Sequence, residues 1–129
     1  MNYSDALFSL CPTAKWVVRG GKDVEWLDET QTQPTEEEIV RKIAELEYQE
    51  EVEVYKEQRA AEYPSYADQF DKIFHEGVDA WKADIQAIKD KYPKQTMDAA
   101  VLEERQNQAV ANMTPAEEAP EEEAPAEEE

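Results

Sequence analysis

Apolar positions along this chain switch between two periods, and each switch marks a new element. In "NYSDALFSL", Asn2 and Asp5 stand three apart at the head of an apolar run. The segment reads as a short capped helix with Leu7, Phe8 and Leu10 on its apolar side, and Cys11-Pro12 ends it. The period then falls to two. Trp16 and Val18 alternate on one arm and Val24 and Trp26 on the other, with Gly20-Gly21 between them, which predicts a β-hairpin over residues 15–28. An isolated hairpin is barely stable in water, so its Trp face should pack on a helix.

The helical period returns after Pro34. Thr35 and Glu38 form a capping box, Pro34 is placed to staple against Ile39, and three glutamates fill the first turn, where the helix dipole favours them. Ile39, Ile43 and Leu46 make one stripe; Tyr48, Val52 and Tyr55 make a second, rotated from the first. The predicted helix spans residues 35–62, about 40 Å at 1.5 Å per residue. Two stripes imply two packing partners.

"YPSYADQFDKIFHEGVDAW" packs five aromatics, the only histidine and one of three glycines into nineteen positions. Tyr63-Pro64 stops the long helix, and Ser65 with Asp68 opens the next. Phe70, Ile73 and Phe74 form an apolar face up to Gly77, a left-handed stop. Val78, Trp81, Ile85, Ile88 and Tyr92 follow at helical spacing until Tyr92-Pro93. The stretch predicts a helical hairpin over 65–92 that bends at its glycine.

Beyond it the signal thins. Met97, Val101, Leu102 and Val110 are too scattered to hold a helix alone, so residues 95–113 read as a marginal helix or arm. "TPAEEAPEEEAPAEEE", residues 114–129, is low-complexity and should stay disordered. All twelve aromatics lie between Tyr3 and Tyr92, which places the compact domain within residues 1–94. The fold class expected is α+β, mainly α.

Charge narrows the partners. Of the formal net charge of −19, eight units come from the glutamates of 114–129. Such a chain is unsuited to nucleic acid, whose binding needs Lys and Arg to replace counterions, and to an anionic membrane. It favours basic partners or imitation of a nucleic acid. A domain of this size buries a limited share of its surface, so self-association or docking on a larger partner is a natural supplement. No run of 18 apolar residues occurs, and the N-terminus lacks the basic start of a signal peptide, which suggests a cytosolic protein.

Candidate chemistry is sparse. His75 has no nucleophile motif near it and no companion ligands at a recurring spacing; it reads as a surface or capping histidine near a helix C-terminus. Cys11, the single cysteine, reads as a small buried thiol. The acidic runs lack the glycine and alternating oxygens of a calcium loop, and the three glycines are absorbed by turns. We expect no enzyme, no metal and no cofactor.

Two stretches carry a resemblance. "ALFSLCPTAKWVVRGG…VEWLDETQTQPTEEEI" is similar to the N-terminal pattern of small bacteriophage tail-region proteins, including the XkdW-like family. "RAAEYPSYADQFDKIFHEGVDAWKADIQAIKDKYPK" resembles a recurrent segment of tail-fibre and tail-assembly proteins of many phages, cyanophages among them. Arg59, Tyr63, Pro64, Ser65, Gln69, Asp71, Trp81, Lys89, Lys91, Tyr92 and Pro93 match it as they stand. Tyr66, Ala67 and Phe70 depart from it but keep the helical face.

The resemblance covers about residues 4–94 and implies a non-enzymatic tail or tail-fibre protein. It would act as an assembly chaperone in the host cytoplasm or as a minor virion component, and its partner would be a phage tail or tail-fibre protein. Candidate partner-binding residues are the hairpin Trp face, Trp16 and Trp26, and the second stripe, Tyr48, Val52 and Tyr55. The alternative from another class is an acidic DNA mimic that inhibits a host nucleic-acid enzyme. Lys and Arg interleaved on the helices, including Arg41, Lys42, Lys82 and Lys89, weaken that reading.

Overall fold

A computed structural model of the chain describes residues 1–113; the expectation of a disordered acidic tail at 114–129 lies outside the described residues. The fold is α+β and mainly helical, in the order α1 (Tyr3–Leu10), β1 (Trp16–Arg19), β2 (Asp23–Trp26), α2 (Glu36–Glu62), α3 (Tyr66–Glu76), α4 (Val78–Lys91) and α5 (Ala99–Ala111).

The termini of the elements follow from side-chain chemistry. Asn2 and Asp5 form a reciprocal capping box on α1, as Thr35 and Glu38 do on α2. The strands pair antiparallel with Trp16 opposite Trp26 and Val18 opposite Val24, so the four apolar side chains share one face. The Asp28 carboxylate closes the hairpin mouth. It accepts the amide N–H of Lys15 at 3.1 Å, and those of Thr30 at 2.8 Å and Gln31 at 3.0 Å, as well as the Thr30 hydroxyl. The bonds from Thr30 lead in holding its pKa below the usual carboxylate value.

α2 is the spine. At its N-terminal end, Ala6 and Leu7 of α1, Cys11 and Ile39 form a buried cluster, against which Tyr3, Trp16, Val18, Val24, Trp26 and Ile43 pack. The Trp face of the hairpin thus seats on helices, as an isolated hairpin requires. α1 differs in detail from its sequence pattern. Leu7 is fully buried with Ala6, while Phe8 is 67% exposed and Leu10 lies at the surface. One residue turns a helix by 100°, so Leu7 and Phe8 cannot both face the same core. The Cys11 thiol donates to the Leu7 carbonyl oxygen at 3.0 Å, and burial raises its pKa.

Residues 95–113 are more than the marginal arm the apolar pattern suggests. Asp98 caps α5 by accepting the N–H groups of Ala100 and Val101. The helix lies along α2, with Leu102, Gln106, Ala109 and Val110 half-buried and polar contacts joining the two helices. The Asp98 amide donates to the Tyr48 hydroxyl at 3.1 Å, and the Arg41 guanidinium donates to Asn107 at 3.0 Å. The Gln106 amide donates to the Arg41 carbonyl at 3.2 Å, and Arg105 pairs with Glu51 through both guanidinium nitrogens. The packed body therefore extends past residue 94 to include α5.

At the far end of α2, Arg59 reaches the C-terminus of α4. Its Nε donates to the Tyr92 carbonyl at 2.8 Å and its Nη2 to that of Lys89 at 3.2 Å. These bonds satisfy carbonyls that the helix end leaves unpaired. Beside it, Glu62 accepts from Lys91 and from the Tyr92 hydroxyl, both at 2.6 Å. This clasp fixes where the α3–α4 hairpin leaves the spine.

The clasp is acid-sensitive. The hydrogen bond from Lys91, then that from Tyr92, holds the Glu62 carboxyl below its ordinary value. A depressed folded-state pKa stabilises the fold above the unfolded value and loses that contribution as pH falls through the folded one. Amide exchange at residues 86–92, corrected for intrinsic rates, is expected to rise in that acid range, below the ordinary glutamate value. Glu62→Gln should flatten the dependence; an unchanged profile in the variant would assign the transition elsewhere.

Candidate interaction surface

The side chains singled out from sequence as partner-binding are placed inward. Trp16 and Trp26 face the buried cluster, and the Trp26 indole N–H donates to the Gln31 carbonyl at 3.1 Å. Tyr48 is buried, with the Arg105 guanidinium carbon 4.4 Å from its ring centroid, a cation–π distance. Tyr55 is buried under Arg59, whose guanidinium carbon lies 4.9 Å from the ring centroid. Val52 is half-buried between them in sequence. Tyr48 and Tyr55 of the second stripe are therefore covered within the chain, by Arg105 of α5 and by Arg59. Alkyl and guanidinium groups of arginine cover aromatic faces as well as apolar residues do, which a count of apolar positions misses.

A row of exposed aromatic side chains lies on α3. Ser65 caps the helix by accepting the Asp68 amide N–H. Gly77 ends it at φ 90° and ψ 167° and starts α4 directly. One edge of α3 packs on α4. The Trp81 indole N–H donates to Gln69 Oε1 at 3.1 Å, and Gln69 Nε2 donates to the Pro64 carbonyl at 2.8 Å. Lys72 bridges Glu76 at 2.6 Å and Asp84 of α4 at 3.1 Å. Ile73 is half-buried on the same edge.

The contact leaves the rest of the apolar face uncovered. Tyr66 is 81% exposed, Phe70 69% and Phe74 84%. At four-residue spacing they form one row along the helix. Val78, across the bend, is 48% exposed. The sequence pattern groups Phe70 and Phe74 with Ile73 as an apolar face, and the structure turns that face outward. Neither α3 nor α4 contributes a buried residue, so the hairpin projects from the spine with its aromatic row in solvent.

Several pattern residues behind the tail-protein resemblance are the joints of this hairpin. Arg59, Tyr92, Pro64, Gln69 and Trp81 make the hydrogen bonds just described. They set how the row is displayed and do not lie in it.

His75 sits exposed in the last turn of α3, edge-on to Phe74 at 5.1 Å between ring centroids. No cluster of three or more His, Cys, Asp or Glu side chains is arranged to hold a metal ion among the described residues. No described helix is long and apolar enough to cross a membrane. Comparison with protein-family models, curated proteins and solved structures finds no match for the chain.

Proposed function

We propose that the chain is a non-enzymatic protein of a bacteriophage tail or tail-fibre module that works by protein–protein contact, as an assembly factor or a minor virion component. The sequence resemblance supplies the phage context. The observation that carries the mode of action is the row Tyr66, Phe70 and Phe74, at 69–84% exposure on a projecting hairpin. Large aromatics left in water at this density are characteristic of protein-binding patches.

What tells against a nucleic-acid mimic is the pairing of acids on α2. Glu37 meets Arg41, Glu45 meets Lys42, Glu51 meets Arg105 and Glu53 meets Lys56. A duplex-like face needs those carboxylates free.

Quantitative mass spectrometry of purified virions against infected-cell lysate tests the proposal. Stoichiometric copies in the particle identify a structural component. Abundance in lysate with absence from virions, together with recovery of a fibre or tail protein on pull-down, identifies an assembly factor. Co-purification with a host nuclease or polymerase would overturn both.

A further inference from the structure

We propose that the α3–α4 hairpin is a hinged arm, turning as one unit on its two proline joints and locked at one angle by Arg59 and Glu62. The inference goes beyond the binding-face reading and does not depend on what the aromatic row meets.

The hairpin is an insertion in the packed body. The chain leaves α2 at Tyr63-Pro64, and α4 ends at Tyr92-Pro93. α5 then packs back on α2, as α1 does, and the Trp face of the β-hairpin seats on the cluster at the same end. These elements form a continuous body without α3 and α4. Neither helix of the arm contributes a buried residue, and the arm meets the body through a narrow contact of α4 with α2.

The backbone does not tie the joints. Proline has no N–H to carry a helical ladder onward. The ladder of α2 ends with the Tyr63 amide, which donates to the Arg59 carbonyl, and that of α4 with the Tyr92 amide, which donates to Ile88. On the entry side, helical backbone bonding resumes at Gln69, whose amide donates to the Ser65 carbonyl. On the exit side, residues 93–97 form no regular element before Asp98 caps α5. Hinges are built from a few such residues at the ends of elements.

The contacts that set the arm's angle are separate from those that hold it together. Arg59 covers Tyr55 and donates to the Tyr92 and Lys89 carbonyls, and Glu62 accepts from Lys91 and the Tyr92 hydroxyl. All of these join the last turn of α2 to the C-terminal end of α4. Inside the arm, Trp81 bonds Gln69, Lys72 bonds Asp84, and Gly77 makes the turn. None of those involves the spine. Breaking the lock therefore frees the arm without opening it, and the rotation carries Tyr66, Phe70 and Phe74 as a row.

Pulsed electron spin resonance between nitroxide labels on the full chain, in a Cys11→Ser background, tests the hinge. Glu47→Cys with Asp79→Cys reports the arm's angle to α2; Asp68→Cys with Asp79→Cys reports the arm's own shape. All three sites are exposed. With Arg59 and Glu62 in place, each pair should give one narrow distance at neutral pH. Arg59→Ala/Glu62→Gln should broaden the spine-to-arm distance or move it to a second value, while the distance within the arm keeps its position and width.

A spine-to-arm distance already broad with the lock intact overturns the inference, as does one that stays narrow and unmoved in the double variant. Equal broadening of the pair within the arm also overturns it, because the hairpin would then be melting rather than turning.

Discussion

Leu7→Ala is expected to lower the stability of the protein by about 3 kcal/mol, the mid-range cost of emptying a buried leucine site. Leu7 is fully buried, in a cluster that joins α1, the hairpin and the first turns of α2. Removing three carbons forfeits their transfer energy and leaves a cavity, because the surrounding Trp16, Trp26 and Ile39 are held by strand pairing and a capped helix. Urea unfolding, followed by the fluorescence of the tryptophans, should show a midpoint lowered by about 2 M if the urea dependence is near 1.5 kcal/mol per molar. Phe8→Ala is the matched control. Phe8 follows Leu7 in sequence but is 67% exposed, so its truncation should change stability by no more than about 0.5 kcal/mol. Equal effects at the two positions would mean that α1 docks on a different face.

Gly77→Ala is expected to cost about 2 kcal/mol, felt locally in the α3–α4 hairpin. Gly77 holds φ 90° and ψ 167°, a region essentially closed to residues with a Cβ, whose occupation costs of order 1–3 kcal/mol. Space is not the obstacle, since an added Cβ would meet no atom within 4 Å. Relieving the strain would break the turn that brings Trp81 to Gln69 and Asp84 to Lys72. Amide exchange over residues 66–91 should therefore accelerate by about thirtyfold through local opening, with α1, the β-hairpin and the N-terminal half of α2 unchanged. Wild-type exchange in the variant would show that the bend does not depend on this backbone conformation.

The two substitutions divide the molecule as the sequence does. Local signals were legible because each is written in a few adjacent residues: the caps at Asn2 and Thr35, the Gly20-Gly21 turn with its paired tryptophans, the stop at Tyr63-Pro64 and the bend at Gly77. What adjacent residues do not encode is which face of a helix another element will cover. Tyr48, Val52 and Tyr55 form an apolar stripe on α2, and Tyr66, Phe70 and Phe74 form one on α3. Nothing in the periodicity separates them. The outcome turns on α5, whose half-buried positions Leu102, Gln106, Ala109 and Val110 keep a helical spacing but carry few large apolar groups, and whose hydrogen bonds run through Arg41, Arg105, Gln106 and Asn107. It also turns on Arg59, which sends the hairpin away from the spine by holding the Tyr92 carbonyl. Asp98 ahead of "AAVLEE" was a readable N-cap. The small Ala44, buried on α2, was a quieter signal that a helix could approach there.

The central claim is that the row on α3 is an open interaction face and that Tyr48 and Tyr55 on α2 are covered within the chain. Hydroxyl-radical footprinting of the full-length protein in dilute solution, read residue by residue by mass spectrometry, tests it directly. Aromatic side chains in water react readily and buried ones are shielded. The account predicts rapid modification of Tyr66, Phe70 and Phe74 and slow modification of Tyr48 and Tyr55. Rapid modification of Tyr48 and Tyr55 with protection of the α3 row would contradict it.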